Sequence, residues 1–338
     1  MKKLFLSLVV AILTTTVCFA QNSLVATLSH GEDISMYYGT NALRDALNAA
    51  VSGDVINLSG GQFQAVDITK AVTLRGTGID DAAPTYISGN YIINIPTDDP
   101  NRLCIEGIRC TNTVNMDGIF NSPYFVKCQF SDLEIRGNST IKNALIVNCK
   151  ITTSFYLYGS STVQSINSYV FSFGNFSETA SAAFVNCVIV SSTRGYSPQD
   201  VKNSQLLNCI VYQTYNTQTN LGGQLPSSTV ATNCLTSGYI NLFGAQTANV
   251  NNKSVGYKEF DKVFKNFTGT YSDDQTFELS DEAKTTYLGN DGTEVGIYGG
   301  VLPYSSKPSY PQITKMNVAN KTTADGKLSV EIEVSAAE

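Results

Sequence analysis

The sequence has no tryptophan, a single histidine and few charged residues, which make up 15% of its 338 residues. Its net charge is −6 and it has no basic cluster, so nucleic acid is not an expected partner. There is no C-x-x-C pair, and His30 precedes most of the cysteines, so no metal site is expected. Beyond the first 20 residues, no apolar run approaches the ~20 residues of a transmembrane helix. The abundant residues, including 18 Tyr and 26 Gly, favour a turn-rich all-β protein.

Residues 1–20 have the pattern of a secretory signal peptide. Two lysines precede a continuous apolar run, and the small residue Ala20 precedes Gln21. We therefore expect cleavage after Ala20 and a secreted, periplasmic or cell-surface protein. Cys18 raises the alternative of a lipoprotein, although residues 15–17 make a poor lipidation site.

The cysteines recur at nearly even intervals. Six of them follow one another at spacings of 18, 21, 38, 22 and 25 residues. Ser168, a near-isostere of cysteine, divides the longest gap into two steps of 19 residues. A period of about 20 residues with short β-runs is typical of a solenoid. The predicted column of equivalent residues is Cys110, Cys128, Cys149, Ser168, Cys187, Cys209 and Cys234.

A parallel β-helix fits this repeat better than a leucine-rich repeat, because there is no leucine ladder and no helical second half. Like residues of successive coils would then stack at the strand spacing of ~4.8 Å, with the cysteines filling the interior as small hydrophobes. The preceding residue is expected at a bend, where side-chain amides bond to adjacent coils. These residues are Arg109, Lys127, Asn148, Asn167, Asn186, Asn208 and Asn233.

The cysteines are expected to be free, buried thiols. Their number after cleavage is odd, and stacked neighbours on parallel strands are poorly aimed for disulfide geometry. A bridge between Cys104 and Cys110 is the alternative that the spacing leaves open.

A cap is predicted ahead of the coils, in residues 40–63. Thr40 or Asn41 can begin a short helix with one apolar stripe, Gly53 ends it, and "VINL" begins a strand. Together with the following "ITKAVTLRGTG", this stretch resembles the start of right-handed parallel β-helix proteins of the pectate-lyase-like superfamily. The resemblance covers residues 41–251 and implies an all-β solenoid whose open end is closed by the amphipathic helix. It is specific for fold and weak for function.

The C-terminal part divides into three stretches. "DGTEVGIYGG", residues 291–300, resembles a closing phrase of such solenoids, and "PYSSKPSYP" indicates a stiff linker. Two β-runs flanking Asp325-Gly326 predict a hairpin, which must dock on the coils or on a cell-surface partner. The expected organisation is a signal peptide at 1–20, the capped β-helix at 21–302, and the linker and hairpin at 303–338.

A second repeated column consists of glycines, and the strand residues before each glycine predict the functional face. Met116, Ile135 and Leu157 are expected to point inward, so the residues on either side of each of them would point outward. Aromatic rings on this face can stack on sugar rings, while arginines can pair with uronate or sulfate groups. The candidate ligand-binding residues are Asn115, Tyr156, Tyr158, Phe171, Phe173 and Arg194. Alternatively, Phe171 and Phe173 point inward, Ser172 points outward, and the charges are an ordinary solvated surface.

Recognition of a polysaccharide or cell-surface glycan, without catalysis or cofactor, is the expected function. The first alternative is a polysaccharide lyase acting by β-elimination, with Arg136 as base beside Glu134 and Asp117 and with calcium as its cofactor. A polygalacturonase-like hydrolase is rejected, because the paired-Asp, Gly-His-Gly and Arg-x-Lys motifs of that family are absent. A structural or adhesive surface protein is the second alternative.

Overall fold

The structure is a computed structural model, and it describes residues 24–80, 83–137, 139–191, 201–213, 225–236, 243, 250–255, 262–266, 276–318, 321–323 and 325–335. The predicted signal peptide and Cys18 lie outside these residues. The described chain is an all-β parallel β-helix of about 8 turns, which confirms the fold class. Among the described residues, no helix is long and apolar enough to cross a membrane.

Sheet A forms one side of the solenoid. In the described chain its strands follow the order β2-β1-β3-β5-β8-β11-β14-β16-β19-β21-β23. The strands from β3 onward are parallel, one from each coil, whereas β1 and β2 are antiparallel additions that the repeat did not predict. The strands are β1 (Val25–His30), β2 (Asp33–Tyr38), β3 (Val55–Leu58), β5 (Thr73–Arg75), β8 (Cys104–Glu106), β11 (Tyr124–Val126), β14 (Ala144–Val147), β16 (Thr162–Ile166), β19 (Ser181–Val185), β21 (Gln205–Leu207) and β23 (Val230–Thr232).

Sheet B forms the other sides, because its longest strands bend at an irregularity and continue around the coil. A short pair, β10 (Ile119–Asn121) and β13 (Thr140–Lys142), adds to two coils. The strands of sheet B are β4 (Gly61–Gln64), β6 (Thr85–Ser88), β7 (Tyr91–Ile93), β9 (Ile108–Met116), β12 (Gln129–Ile135), β15 (Lys150–Leu157), β17 (Tyr169–Val170), β18 (Phe173–Phe176), β20 (Val188–Ser191), β22 (Ile210–Gln213), β24 (Leu235–Thr236) and β25 (Lys253–Ser254).

The asparagine column lies at the corner between sheets A and B. Asn148, Asn167, Asn186 and Asn208 have φ between 46° and 54°, in the left-handed region. Asparagine enters this region at lower cost than other non-glycine residues. A one-residue left-handed turn is therefore the physical reason for the repeated Asn, and the predicted bend is confirmed.

The cysteine column satisfies the backbone just after this corner. Each thiol donates to the carbonyl oxygen two residues earlier, at 3.3–3.4 Å. The N–H of Cys128 donates to Cys149 Sγ at 3.4 Å, and the N–H of Cys149 donates to Ser168 Oγ at 3.1 Å. A small group that both donates and accepts suits this position, which explains why serine can replace cysteine.

One member of the predicted column is wrong. Cys110 pairs in register with Phe130, whereas Cys128 hydrogen-bonds back to Ile105 and follows Lys127 at the corner. Gly107 occupies the corner position that the sequence pattern assigned to Arg109. Its φ is 67°, and its N–H donates a hydrogen bond to Val126 O. Ile108 therefore fills the cysteine position of this coil. Glycine supplies the same left-handed turn without the Asn-Cys phrase, so the sequence pattern was shifted by two residues.

All seven described cysteines are free, and Cys104 and Cys110 are not bridged. Six are buried, and Cys104 is half-buried. Burial raises the pKa of the Cys104 thiol to about 11 and raises the pKa of Cys128 and Cys209 as well. These groups are packing elements held in the protonated form at neutral pH.

The N-terminal cap is confirmed. Helix α1 (Ala42–Ala49) buries Leu43 and Leu47 over the first coil, although Val51 is exposed and not part of the buried stripe. Lys70 Nζ donates to three carbonyl oxygens at the C-terminal end of α1, at 2.6–3.0 Å. The favourable interaction of a cation with this end of the helix dipole fixes the cap.

A second apolar core lies outside the solenoid, against the later strands of sheet B. It joins Tyr169, Val188 and Ile210 to residues of the C-terminal region, such as Phe277, whose ring stacks on Tyr169 at 4.2 Å. Helix α2 (Asp281–Thr286) belongs to this layer and buries Ala283. The C-terminal layer therefore covers one half of sheet B.

The chain then returns along the asparagine corner as a strap, residues 287–310. Asn208 Nδ2 donates to Asn290 Oδ1, and Asn167 Nδ2 donates to the carbonyl oxygens of Ile297 and Gly299, at 2.7–3.0 Å. Residues 303–310, interpreted from the sequence as a linker, are docked on early coils. The N–H of Ser309 donates to Glu106 Oε1 at 2.8 Å. The asparagine side chains thus bind the strap, while the asparagine backbone forms the left-handed turn at the corner.

The C-terminal hairpin is confirmed. It pairs β26 (Gln312–Val318) with β27 (Val330–Ser335) in antiparallel register. Val330, Ile332 and Val334 are 47–60% exposed on β27. The hairpin therefore presents an apolar row, and the partner predicted for it stays a prediction.

Candidate functional site

The register of sheet B brings six of the candidate residues into two neighbouring files. Glu134 of β12 pairs with Tyr156 of β15 on one side and Asn115 of β9 on the other. The N–H groups of Arg136 and Tyr158 each bond to the preceding coil, at Met116 O and Ile135 O, which continues the register past the strand ends. Asp117, Arg136 and Tyr158 therefore form the next file. The inward residues between the two files, Met116, Ile135 and Leu157, are fully buried as predicted.

An ion pair lies at the centre of this face. Arg136 Nε is 3.6 Å from Glu134 Oε2, with the side chains 48% and 25% exposed. Asp117 is exposed and accepts a hydrogen bond from Ser139 Oγ at 3.2 Å. On the same strand as Glu134, burial raises the pKa of Asp132, and the Glu134 carboxylate adds to this rise. The face is thus polar, with an arginine that solvent and ligands can reach.

Two tyrosine rings lie beside the ion pair, and we name this pair of residues the tyrosine platform (Tyr156 and Tyr158). Their rings are parallel within 8°, with centroids 6.3 Å apart, and both side chains are half-buried. Gly174 on the next coil makes room for Tyr156, because a Cβ atom there would lie 2.0 Å from Tyr156 Cδ1. The ring of Tyr156 therefore lies against the backbone of the following coil.

The two candidate phenylalanines are not on this face. Phe173 is 3% exposed and packs on Phe176 and Phe184 in the solenoid core. Phe171 packs on the second apolar core. The outward orientation expected for Phe173 is therefore wrong, whereas Phe171 points out of the solenoid but is covered by the C-terminal layer. Ser172, which the alternative places outward, is buried.

A register shift explains this error. Phe155 pairs with Phe173, but Leu157 pairs with Phe176, so β18 holds one extra residue at a bulge. Ser177, whose N–H bonds to Leu157 O, occupies the position of Tyr158 in this coil. Aligning the coils on Gly174 instead of on the apolar residue Phe176 produced the error.

Asn115 and Arg194 also differ from the expectation. Asn115 is in register with Glu134 but only 3% exposed, and its Oδ1 atom has no hydrogen-bond partner in the described part of the chain. Arg194 lies outside the described residues. The described face thus consists of Asp117, Glu134, Arg136 and the tyrosine platform.

A cavity lies elsewhere, on the outer face of sheet A, and sequence reasoning missed it. Its volume is about 710 Å³, and it crosses several coils past Arg102, Gln164 and Gln205. Leu145, Gln164 and Ala183 form the outward file that crosses this groove.

The described residues contain no group of three or more His, Cys, Asp or Glu side chains placed to hold a metal ion. No protein-family model, no curated protein and no solved structure matches this chain.

Proposed function

We propose that this protein is a secreted, non-catalytic β-helix that binds a polysaccharide or cell-surface glycan along the outer face of sheet B. The tyrosine platform beside Arg136 is the observation that carries the proposal. Two parallel rings, restrained by the neighbouring coil, offer apolar faces to the CH surfaces of sugar rings at a low entropic cost. Arg136 can pair with a uronate carboxylate or a sulfate group.

The position of the face also supports an extended ligand. The C-terminal layer covers sheet B from Tyr169 onward, whereas the coils of β9, β12 and β15 keep a reachable surface on this side. Equivalent positions repeat along the solenoid axis at ~4.8 Å, so a polymer can lie along the axis and meet one coil after another.

A polysaccharide lyase is the second candidate, because Arg136 lies beside Glu134 and one coil from Asp117. In this role Arg136 would remove the proton next to a uronate carboxyl group, and the two carboxylates would help to hold calcium.

The test is a glycan array of neutral, uronate-containing and sulfated polysaccharides, followed by binding measurements on each hit. We expect Tyr158→Ala and Arg136→Gln to weaken binding at least tenfold. Tyr124→Ala is the matched control, since Tyr124 is a half-buried tyrosine on sheet A, and it should bind like the wild type. An array without hits would favour a structural or adhesive protein. Release of unsaturated uronide by the wild type but not by Arg136→Ala would establish the lyase.

The assignment to the pectate-lyase-like superfamily and to the secretory pathway belongs to the same proposal. The cap motif and the coil repeat over residues 41–251 support the first, and residues 1–20 support the second. Mass spectrometry of the protein from its native host should give a mature N-terminus at Gln21, whereas an acylated Cys18 would show a lipoprotein.

A further inference from the structure

A cavity of about 300 Å³, which we name the strap pocket, lies between the strap and the outer face of sheet B. Asp80 and Lys150 line it on the solenoid side, and Tyr298, Tyr304 and Lys307 line it on the strap side. It is separate from the tyrosine platform, because Lys150 begins the strand β15 that later carries Tyr156 around the bend of the coil. The volume is at the lower end of the range of ligand sites.

Lys150 has an ammonium group whose hydrogen-bonding capacity is not filled. Its side chain is 6% exposed, Asp80 Oδ2 is 3.6 Å away, and the ring centroid of Tyr304 is 5.8 Å away. Among the described residues, none accepts a hydrogen bond from Lys150 Nζ. A buried cation is costly unless it is paired and hydrogen-bonded, so this geometry points to a missing acceptor.

Asp80 is shared between two cations. Its Oδ1 atom is 3.5 Å from Arg109 Nη2, while Oδ2 faces Lys150. Gln129 lies in register between Arg109 and Lys150, and its Oε1 atom is buried without a hydrogen-bond partner in the described chain. Lys307 adds a further positive charge to the lining. The charged side chains that line the pocket are thus two lysines and one aspartate, so positive charges outnumber negative charges.

The walls of the pocket suit a ring with apolar faces. The rings of Tyr298 and Tyr304 are 6.1 Å apart and nearly perpendicular, at 88°. Tyr298 donates its hydroxyl hydrogen to Thr276 O at 2.6 Å, which fixes this ring. Burial, together with nearby carboxylates, raises the pKa of Tyr298 to about 12, so the wall is a neutral phenol at physiological pH.

We propose that the strap pocket binds one acidic sugar unit, with its carboxylate or sulfate group on the ammonium of Lys150 and its ring against Tyr298 and Tyr304. An oxyanion supplies the acceptors that Lys150 lacks. This site is independent of the tyrosine platform, so either can fail without the other.

The test is calorimetric titration of the full mature chain with glucuronate, glucose 6-sulfate, glucose and inorganic sulfate at constant ionic strength. We expect at least one acidic sugar to bind at least tenfold more tightly than glucose and than inorganic sulfate. Glucuronate and glucose 6-sulfate distinguish a carboxylate from a sulfate ester. Binding of neither acidic sugar, or equal binding of inorganic sulfate, overturns the proposal.

Lys150→Met keeps the apolar stem and leaves Asp80 paired with Arg109. It should weaken binding of the acidic sugar at least tenfold, whereas Lys142→Met, on the short strand β13, is the matched control and should not. Tyr304→Leu, a second variant for the case that Lys150→Met does not fold, should also weaken binding at least tenfold. Unaltered affinity in a folded Lys150→Met or Tyr304→Leu protein overturns the proposal.

Discussion

At the scale of single residues, the Asn-Cys phrase performs two tasks at one corner. Asparagine adopts the left-handed turn, and the following thiol accepts the N–H of the neighbouring coil while donating to a carbonyl oxygen. Neither task needs a disulfide or a metal. The repeated cysteine in this chain is therefore explained by backbone hydrogen bonding in the interior.

Substitution of Cys149 tests this explanation. Cys149→Ala removes the acceptor of the Cys128 N–H and leaves a small cavity, so we expect a loss of about 1–3 kcal/mol in the free energy of unfolding. Cys149→Ser retains both hydrogen bonds, as Ser168 does in the next coil, and should cost less. Urea denaturation under reducing conditions measures the difference. Equal losses in the two variants would show that packing alone matters.

At the scale of elements, the strap is the feature that the repeat does not encode. It binds to the coils through side-chain amides whose backbone role is already fixed by the left-handed turn. Docking at Asn208, Asn167 and Glu106 ties late and early coils to one segment. The strap also forms one wall of the strap pocket.

Replacing Asn167 by Asp separates the turn from the docking. Asp tolerates the left-handed region but cannot donate from the Nδ2 position to Ile297 O and Gly299 O. We expect faster proteolytic cleavage within residues 297–310 and a loss of about 1–3 kcal/mol in stability. Asn148→Asp is the matched control, since φ is 53° there and the structure shows no strap contact for the described Asn148 side chain. The same cleavage rate in both variants would contradict the docking role.

At the scale of the whole molecule, one half of sheet B is a second core and the other half is a surface. The difference comes from the C-terminal layer, which buries Val188, Ile210 and Leu235. The tyrosine platform lies on earlier coils, beyond this layer. The coverage of sheet B thus determines where a long ligand can approach it.

Truncation tests the role of this layer. A chain ending at Ser254 would expose the outward apolar residues of β17, β20, β22 and β24, and we expect it to bind a hydrophobic dye and to self-associate. A chain ending at Tyr310 loses only the hairpin and should remain folded with an unchanged oligomeric state. Dye fluorescence and size-exclusion chromatography compare the two. A soluble chain that ends at Ser254 without dye binding would show that the layer is not part of the core.

Sequence patterns predicted the site incompletely, and the reason is the bulge in β18. Asp117, Glu134, Arg136, Tyr156 and Tyr158 lie where the register of β9, β12 and β15 continues without a shift up to the aligned glycines, so their alignment is correct. One extra residue in β18 moved Phe173 into the core. In a strand, such a shift exchanges inside for outside.

The sequence by itself determined the coil: its period, its interior columns and its asparagine corner, because each coil repeats the same local interactions with its neighbours. Only the tertiary structure decided which outer faces are covered and where a pocket closes. Those features depend on the return of residues 287–310 across coils that are distant in the chain, as in the contact of Ser309 with Glu106. No local period encodes a contact of that kind.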